Sequence, residues 1–105
     1  MNKIILDGNL TADPEYTMGE KAARANFSLA HNDRRKEEAM FVDCVAFGDV
    51  AERIKNYTHK GTPVQVIGRL DLSTYTREDG TKGRRVSIIV EDWEYFGRSK
   101  PASAE

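Results

Sequence analysis

The chain has 105 residues, which is enough for one compact domain and too few for two. Its 16 lysines and arginines nearly balance 17 aspartates and glutamates, so the formal net charge of −1 does not by itself predict a polyanionic partner. No apolar run approaches the roughly 20 residues that span a bilayer, which excludes a membrane-spanning helix.

The N-terminal stretch MNKIILDGNL is interrupted by Asp7 and has no small-residue cleavage site, so we expect no signal peptide. Cys44 is the single cysteine, which excludes an internal disulfide and every multi-cysteine metal motif. Its position predicts a small buried hydrophobe rather than a reactive thiol. A cytoplasmic or comparable reducing location fits this cysteine usage best.

The first half of the chain predicts three strands. Residues 2–10 begin with an aliphatic run that suits a strand, whereas residues 11–20 (TADPEYTMGE) are typical of turn and loop. Residues 23–31 alternate apolar and polar side chains and predict a second strand. A polar, doubly charged loop (HNDRRKEEA) then leads to a third strand at residues 40–47.

The period then changes from that of a strand to that of a helix. Asp49 is a good N-cap, with Glu52 three residues later as in a capping box, and apolar residues recur at helical spacing (Val50, Ile54 and Tyr57). Lys60 and Gly61 form a natural helix end. The pattern predicts one helix of about three turns.

Two further strands complete the domain. Residues 64–72 and 86–96 predict strands, and Asp79-Gly80 between them is a strong hairpin signal. Five strands with one helix between the third and fourth indicate an all-β OB-fold, a five-stranded Greek-key barrel, over residues 1–96. Residues 97–105 are rich in Ser, Ala and Pro and predict a flexible tail.

The third strand has more apolar residues than one core face requires. Alternation places Met40, Val42, Cys44 and Ala46 on the core face, and Phe41, Asp43, Val45 and Phe47 on the outer face. Phe41 and Phe47 are about 20 Å apart along a strand, so they suit two separated points on a long ligand such as the bases of a single strand. The alternative is that one or both pack under a loop or in a subunit contact.

A third ring, Tyr75, precedes a basic hairpin. Arg77 lies beside it, and Lys82 and Arg84 lie across the turn, which would allow the ring to stack on a base while the cations hold phosphates. Residues 53–85 contain eight lysines and arginines against three acids, so a local positive groove competes with an ordinary mixed surface. Tyr75 as an incidental surface residue also remains open.

Two other features favour different interpretations. The loop NDRRKEE offers Arg34 and Arg35 as phosphate contacts, although neighbouring acids can neutralise them. Trp93 lies among acidic residues, so we predict core or subunit packing for it rather than contact with a polyanion. The sequence contains no phosphate loop, no nucleophile elbow and no metal-ligand spacing, so we expect no catalytic residue, metal or cofactor.

An ordered set of segments resembles bacterial and phage single-stranded DNA-binding proteins. The segments are MNKIILDGNLTADPE, ANFSLA, FVDCVAFGDVAERIKNYTHKG and VQVIGRL, followed by an aromatic residue and a DG hairpin, and they cover residues 1–96. The resemblance implies an OB-fold that binds single-stranded DNA in replication, recombination and repair without catalysis. It also implies self-association as a homotetramer, with a dimer as the alternative, in which the first strand pairs across a dimer contact.

The resemblance also assigns site residues. The family's stacking positions fall on Phe41, Phe47 and Tyr75, and a further position falls near Arg35. Polar or basic positions beside the strand path match Lys3, Lys60 and Arg69. Asp43 and Asp49 depart from the family, which often has basic residues there.

The family usually ends in an acidic C-terminal tip, whereas this sequence ends in RSKPASAE, either because it is shortened or because it is a compact version of the family. Tail-mediated recruitment of repair enzymes is therefore not assumed. The leading hypothesis is a sequence-tolerant single-strand binder. The alternative is an OB-fold interaction subunit of a primosome or recombination complex, whose aromatic residues would dock on protein.

Overall fold

The structure is a computed structural model that describes residues 1–96. Along the chain, these residues form β1 (Ile4–Leu10), β2 (Glu15–Met18), β3 (Ala23–His31), β4 (Met40–Phe47), α1 (Gly48–Tyr57), β5 (Pro63–Thr76) and β6 (Lys82–Tyr95). The five predicted strands and the predicted helix are all present. The tail predicted at residues 97–105 lies outside the described residues.

The strands close into a barrel because β1 has two partners. Its residues Ile4–Asn9 pair with β5, and Asn9 and Leu10 pair with Ala30 and Leu29 of β3. The ring therefore runs β1-β5-β6-β4-β3 and returns to β1, with β4 and β6 parallel and the other neighbours antiparallel. This topology confirms the predicted five-stranded OB-fold.

The strand β2 was not predicted, and it lies outside the closed ring. It pairs with the first four residues of β3 through a turn in which the Gly19 N–H donates to the Ala22 carbonyl, at 3.1 Å. Only Tyr16 of its four residues is even half-buried. The loop prediction for residues 11–20 was wrong here because this edge strand shows no apolar alternation.

The helix α1 lies where it was predicted, but both of its ends differ. Its N-cap is Phe47, without a side-chain cap, and Asp49 lies in the first turn, so the predicted N-cap was wrong. The helix ends at Tyr57 because the backbone of Thr58 is extended, with φ −132° and ψ 159°. The Thr58 N–H makes the last helical hydrogen bond, to the Ile54 carbonyl at 3.1 Å, and the Thr58 hydroxyl donates to the same oxygen at 2.6 Å. No helix within residues 1–96 is long and apolar enough to cross a membrane.

The barrel interior confirms two sequence predictions. Cys44 and Trp93 are both buried, and each belongs to one apolar cluster with Leu29, Ile54 and Val66. Burial raises the pKa of the Cys44 thiol to about 12, and the neighbouring Asp43 carboxylate adds to the effect. Cys44 is therefore a packed hydrophobe rather than a nucleophile.

Candidate nucleic-acid interface

The outer face of β4 carries two exposed phenylalanines. Phe41 is 69% exposed and Phe47 is 47% exposed, and Asp43 between them is also exposed. Val45 was predicted on this exposed face but is buried. The alternation therefore holds for both rings, and neither is packed into the interior.

The strand register identifies the side chains that share this face. Asp43 of β4 lies opposite Ser28 of β3 and Ser87 of β6, and Ser87 lies opposite Asp71 of β5. Side chains two residues apart on one strand point to the same face. Arg24 therefore shares a face with Ser28, Arg85 with Ser87, and Tyr75 with Asp71. All three lie on the face of Phe41 and Phe47. We call it the aromatic face.

Tyr75 lies toward the Phe41 end of the aromatic face. It pairs with Gly83 of β6, four residues before Ser87, and its side chain is 44% exposed. The guanidinium groups of Arg77 and Arg85 lie 5.4 and 5.7 Å from the ring centroid. Because Gly83 has no side chain, the ring lies directly against the strand opposite it. The three rings therefore follow one course across the sheet, from Phe47 through Phe41 to Tyr75.

The turn of the hairpin decides which cations reach Tyr75. The Gly80 N–H donates to the Arg77 carbonyl at 2.9 Å, and the Arg77 N–H donates to the Thr81 carbonyl at 2.7 Å, so the loop has three residues. Gly80 supports this loop with a φ of +89°. Thr76 then lies opposite Lys82, and Tyr75 lies opposite Gly83.

This register corrects the predicted neighbours of the ring. Lys82 and Arg84 pair with Thr76 and Thr74, which places both cations on the opposite face from Tyr75. Arg85, which the sequence analysis did not select, is on the aromatic face instead. Arg77 was selected correctly as a neighbour, and its Nη1 also donates to the Lys82 carbonyl at 2.9 Å.

A groove of about 400 Å³ lies beside Phe47 on the aromatic face. Its floor comes from three strands and one wall from the segment after β1; the lining includes Thr11, Asp13, Arg24, Asn26, Ser28, Asp43, Arg85 and Ser87. The Arg24 guanidinium lies 5.9 Å from the centroid of the Phe47 ring, and its Nε donates to Asn26 at 3.3 Å. The sequence analysis did not select Arg24. The feature that could have identified it is its position at the start of an alternating strand, on the outward side.

The other predicted cations lie farther from the rings or are paired. Arg69 is on the aromatic face but forms an ion pair with Glu91 at 3.3 Å, and Lys3 contacts the same carboxylate at 3.8 Å. Arg34 and Arg35 are exposed in the loop that leads into β4, and Arg35 lies 3.6 Å from Asp33. None of these four cations lines the groove.

Lys60 lies in the loop that follows α1. Its backbone N–H donates to the Asp13 carboxylate at 2.8 Å, and Asp13 lines the groove. The loop that carries Lys60 is therefore anchored to the wall of the groove.

Comparison with known proteins identifies one protein family along nearly the whole chain. The model of a family described as "Single-strand binding protein family" matches residues 1–96. A single-stranded DNA-binding protein of Clostridium perfringens is 39% identical over 99 residues, covering 91% of this chain and 66% of that protein. A protein of the same name from Fusobacterium nucleatum is 35% identical over 113 residues, covering 98% and 71%.

Single-stranded DNA-binding protein 3 of Clostridium acetobutylicum is 39% identical over 102 residues, covering 91% of this chain and 71% of that protein. The chain thus spans about two thirds of the length of these relatives, from 66% to 71%.

Proposed function

The chain belongs to the single-strand binding protein family, and on that premise we propose that it binds single-stranded DNA in a sequence-tolerant manner, without catalysis or a cofactor. One observation carries the proposal. Phe41, Phe47 and Tyr75 come from two non-adjacent strands, yet all three are exposed on one face of the sheet. A soluble domain has no packing reason to expose three large rings together.

The proposed mechanism combines stacking with charge. Each unpaired base presents a flat π-face to a ring, and stacking contributes about 1–3 kcal/mol per base whatever the sequence. Arg24 at the Phe47 end, and Arg77 and Arg85 at the Tyr75 end, are the cations placed to contact phosphates as the strand passes each ring. Arg34, Arg35, Lys3, Lys60, Arg69, Lys82 and Arg84 remain proposed outer contacts.

A protein that covers unpaired strands in this way would act wherever duplex DNA is opened. We therefore infer roles in DNA replication, recombination and repair. A cytoplasmic location is part of the proposal, because DNA of bacteria or of their phages is found there and because Cys44 is a reduced, buried thiol.

The test is a titration with oligo(dT) at several salt concentrations, read by fluorescence anisotropy. We expect log K to fall linearly with log[salt], with a slope of about −0.7 per phosphate neutralised. The triple variant Phe41→Ala/Phe47→Ala/Tyr75→Ala should lose most of the affinity. The matched control is Tyr57→Ala, which removes a ring of similar exposure, 56%, from the end of α1.

An unchanged affinity in the triple variant, with its thermal melt intact, would contradict the proposed mechanism. In that case the alternative hypothesis, an OB-fold interaction subunit whose rings dock on another protein, would explain their exposure better.

We also infer self-association, as a homotetramer built from dimers. Two surfaces support it. The residues of β1 before Asn9 pair with β5 on one edge and have no strand on the other within residues 1–96. Leu70, Leu72 and Val86 are exposed on the face of the hairpin opposite Tyr75.

Light scattering after gel filtration tests self-association, because the measured mass can be compared with the 11.8 kDa of one chain. We expect a mass near four chains, falling when Leu72→Asp places a charge in the apolar surface. A monomeric mass for the unmodified protein would refute self-association without affecting the proposed DNA site.

A further inference from the structure

The segment that joins β1 to β2, residues 11–14, supplies one wall of the groove on the aromatic face. Two hydrogen bonds to other parts of the barrel hold this wall. The Thr11 N–H donates to the carbonyl of Ser28, a residue of the groove floor, at 2.9 Å. The Asp13 carboxylate accepts the Lys60 N–H at 2.8 Å. Thr11 fixes the end of the wall next to β1, so Asp13 is the contact that fixes the end next to β2.

The loop that carries the donor of this hydrogen bond is itself fixed to β1. The Leu10 N–H donates to the Thr62 carbonyl at 3.1 Å, and the Gly61 N–H donates to the Leu10 carbonyl at 2.8 Å. The Asn9 side chain donates to the Gly61 carbonyl at 3.0 Å. Asp13 therefore ties the wall to a part of the barrel that is already held in place.

The charge of Asp13 opposes DNA binding. The groove lining contains three carboxylates and two guanidinium groups, which belong to Asp13, Glu15, Asp43, Arg24 and Arg85. Each carboxylate repels phosphate, so the acids as a group work against the two arginines. A favourable contribution of Asp13 to binding must therefore come from the hydrogen bond that its oxygen accepts.

Resting on the proposed function, we propose that Asp13 is a positioning residue for single-stranded DNA. Its carboxylate fixes the groove wall, so that a base stacked on Phe47 enters a space that already has its bound shape. A segment that is ordered before binding loses no conformational freedom when the DNA arrives, which raises the affinity. Pro14 adds to this order, because it disfavours the helical conformation for the residue before it. The hydrogen bond thus supports binding although the charge opposes it.

The test compares two substitutions of Asp13 that remove the same charge. Asp13→Asn retains an oxygen that can accept the Lys60 N–H, whereas Asp13→Ala does not. The affinity of Asp13→Asn for oligo(dT), measured by fluorescence anisotropy at low salt, should exceed that of Asp13→Ala by about threefold to tenfold. Because the charge is absent from both variants, this ratio reports the hydrogen bond and not the charge.

Glu15 provides the matched control. It lines the same groove and carries the same charge, but its side chain forms no ion pair or hydrogen bond with any of residues 1–96. Glu15→Gln and Glu15→Ala should therefore bind oligo(dT) with the same affinity.

Two further measurements distinguish positioning of the DNA from general stabilisation of the fold. The difference between Asp13→Asn and Asp13→Ala should disappear in a Phe47→Ala background, because no base then stacks beside the wall, and should persist in a Tyr75→Ala background. By NMR, the Lys60 amide should exchange with solvent faster in Asp13→Ala than in the unmodified protein, whereas Asp13→Asn should keep its exchange slow.

Two results would overturn the inference. Equal affinities of Asp13→Asn and Asp13→Ala, with both variants folded in a thermal melt, would mean that Asp13 contributes only its charge. A ratio that stays the same in the Phe47→Ala background would mean that the hydrogen bond stabilises the fold without positioning a base, and failure of Asp13→Ala to fold would have the same meaning. Failure of the unmodified protein to bind oligo(dT) would instead refute the proposed function itself.

Discussion

Gly83→Ala provides a test of Tyr75 that leaves the ring's chemistry unchanged. A Cβ at position 83 would lie 2.5 Å from Cζ and 2.6 Å from the hydroxyl oxygen of Tyr75, and 2.6 Å from Nη2 of Arg77. Carbon atoms in contact are about 3.5–4.0 Å apart, so the ring must move by about 1 Å or more. The backbone of Gly83 has no positive φ, so alanine fits the strand itself.

The expected cost to folding is small. The atoms that must move are the exposed ends of two side chains, and the lost cross-strand contact is worth about 0.2–1 kcal/mol. Replacing glycine by alanine in a strand returns about 0.5–1 kcal/mol, because the unfolded chain loses conformational freedom. The free energy of unfolding should therefore change by less than about 1 kcal/mol.

The expected cost to binding is much larger. If the displaced ring no longer stacks on a base, the loss is about 1–3 kcal/mol, or about 5-fold to 150-fold in affinity for oligo(dT) at each site. Anisotropy titration measures the affinity, and a thermal melt measures stability on the same samples. The matched background is Tyr75→Ala, in which Gly83→Ala should have much less further effect, because the ring is absent and only the Arg77 guanidinium remains to be displaced.

An equal loss of affinity from Gly83→Ala in both backgrounds would refute this reasoning. That outcome would mean that the substitution acts through the backbone of the hairpin and not through the ring.

Three other substitutions or conditions test separate parts of the structure. Arg24→Gln should weaken oligo(dT) binding and flatten the plot of log K against log[salt] by about 0.7, because one phosphate contact is lost; an unchanged slope would remove Arg24 from the site. The Cys44 thiol, with its pKa raised to about 12 from 9.0, should react with a thiol reagent only after unfolding, as a colorimetric assay would measure. Because the unfolded chain loses this proton first, stability should fall as the pH rises from about 9 to 12, and urea unfolding of Cys44→Ala should show a weaker dependence. Gly68→Ala should lower the free energy of unfolding by at least about 1–3 kcal/mol in urea, because its Cβ would overlap the Ile89 backbone carbonyl at the bulge; an unchanged midpoint would contradict the tight strand approach.

The barrel was predictable because its signals are local. In β3, Ala25, Phe27 and Leu29 are buried and the residues between them are half-buried, so the burial follows the alternation of apolar and polar residues in the sequence. The switch to a period near 3.6 placed the helix, and Asp79-Gly80 placed the hairpin. The single long-range step, from five strands and a helix to a closed ring, follows from the small number of ways in which such elements can bury one core.

The site was only partly predictable, because one residue of turn length decides which side chains share a face. A two-residue turn at Asp79-Gly80 would have paired Tyr75 with Arg84, whereas the observed three-residue loop pairs it with Gly83. A shift of one residue moves every side chain of a strand to the other face. The exposure of Tyr75 was therefore predictable from its position, but its partner Arg85 was not.

Arg24 was missed for a related reason. Its partner Phe47 is 23 positions away in the sequence, and only the antiparallel register of β3 and β4 brings them opposite each other. The alternation of residues 23–31 is consistent with an outward-facing Arg24, but outward-facing arginines are common on any soluble domain. Arg24 differs from the other outward-facing arginines because long-range strand pairing places it beside Phe47, and residue type alone does not show this.

The placement of cations also explains how a chain with a net charge of −1 can offer a site to a polyanion. Arg24 lies against Phe47, and Arg77 and Arg85 lie against Tyr75, so each of these cations lies beside a ring. Of the acids on the same face, Asp43 and Asp71 lie in the row between the rings, whereas Asp13 and Glu15 line the groove together with Arg24 and Arg85. Since charges act mainly within a Debye length of about 8–10 Å, these three arginines attract phosphate locally even though acids share the face. The local order of charges on the face therefore matters more for this function than their sum over the chain.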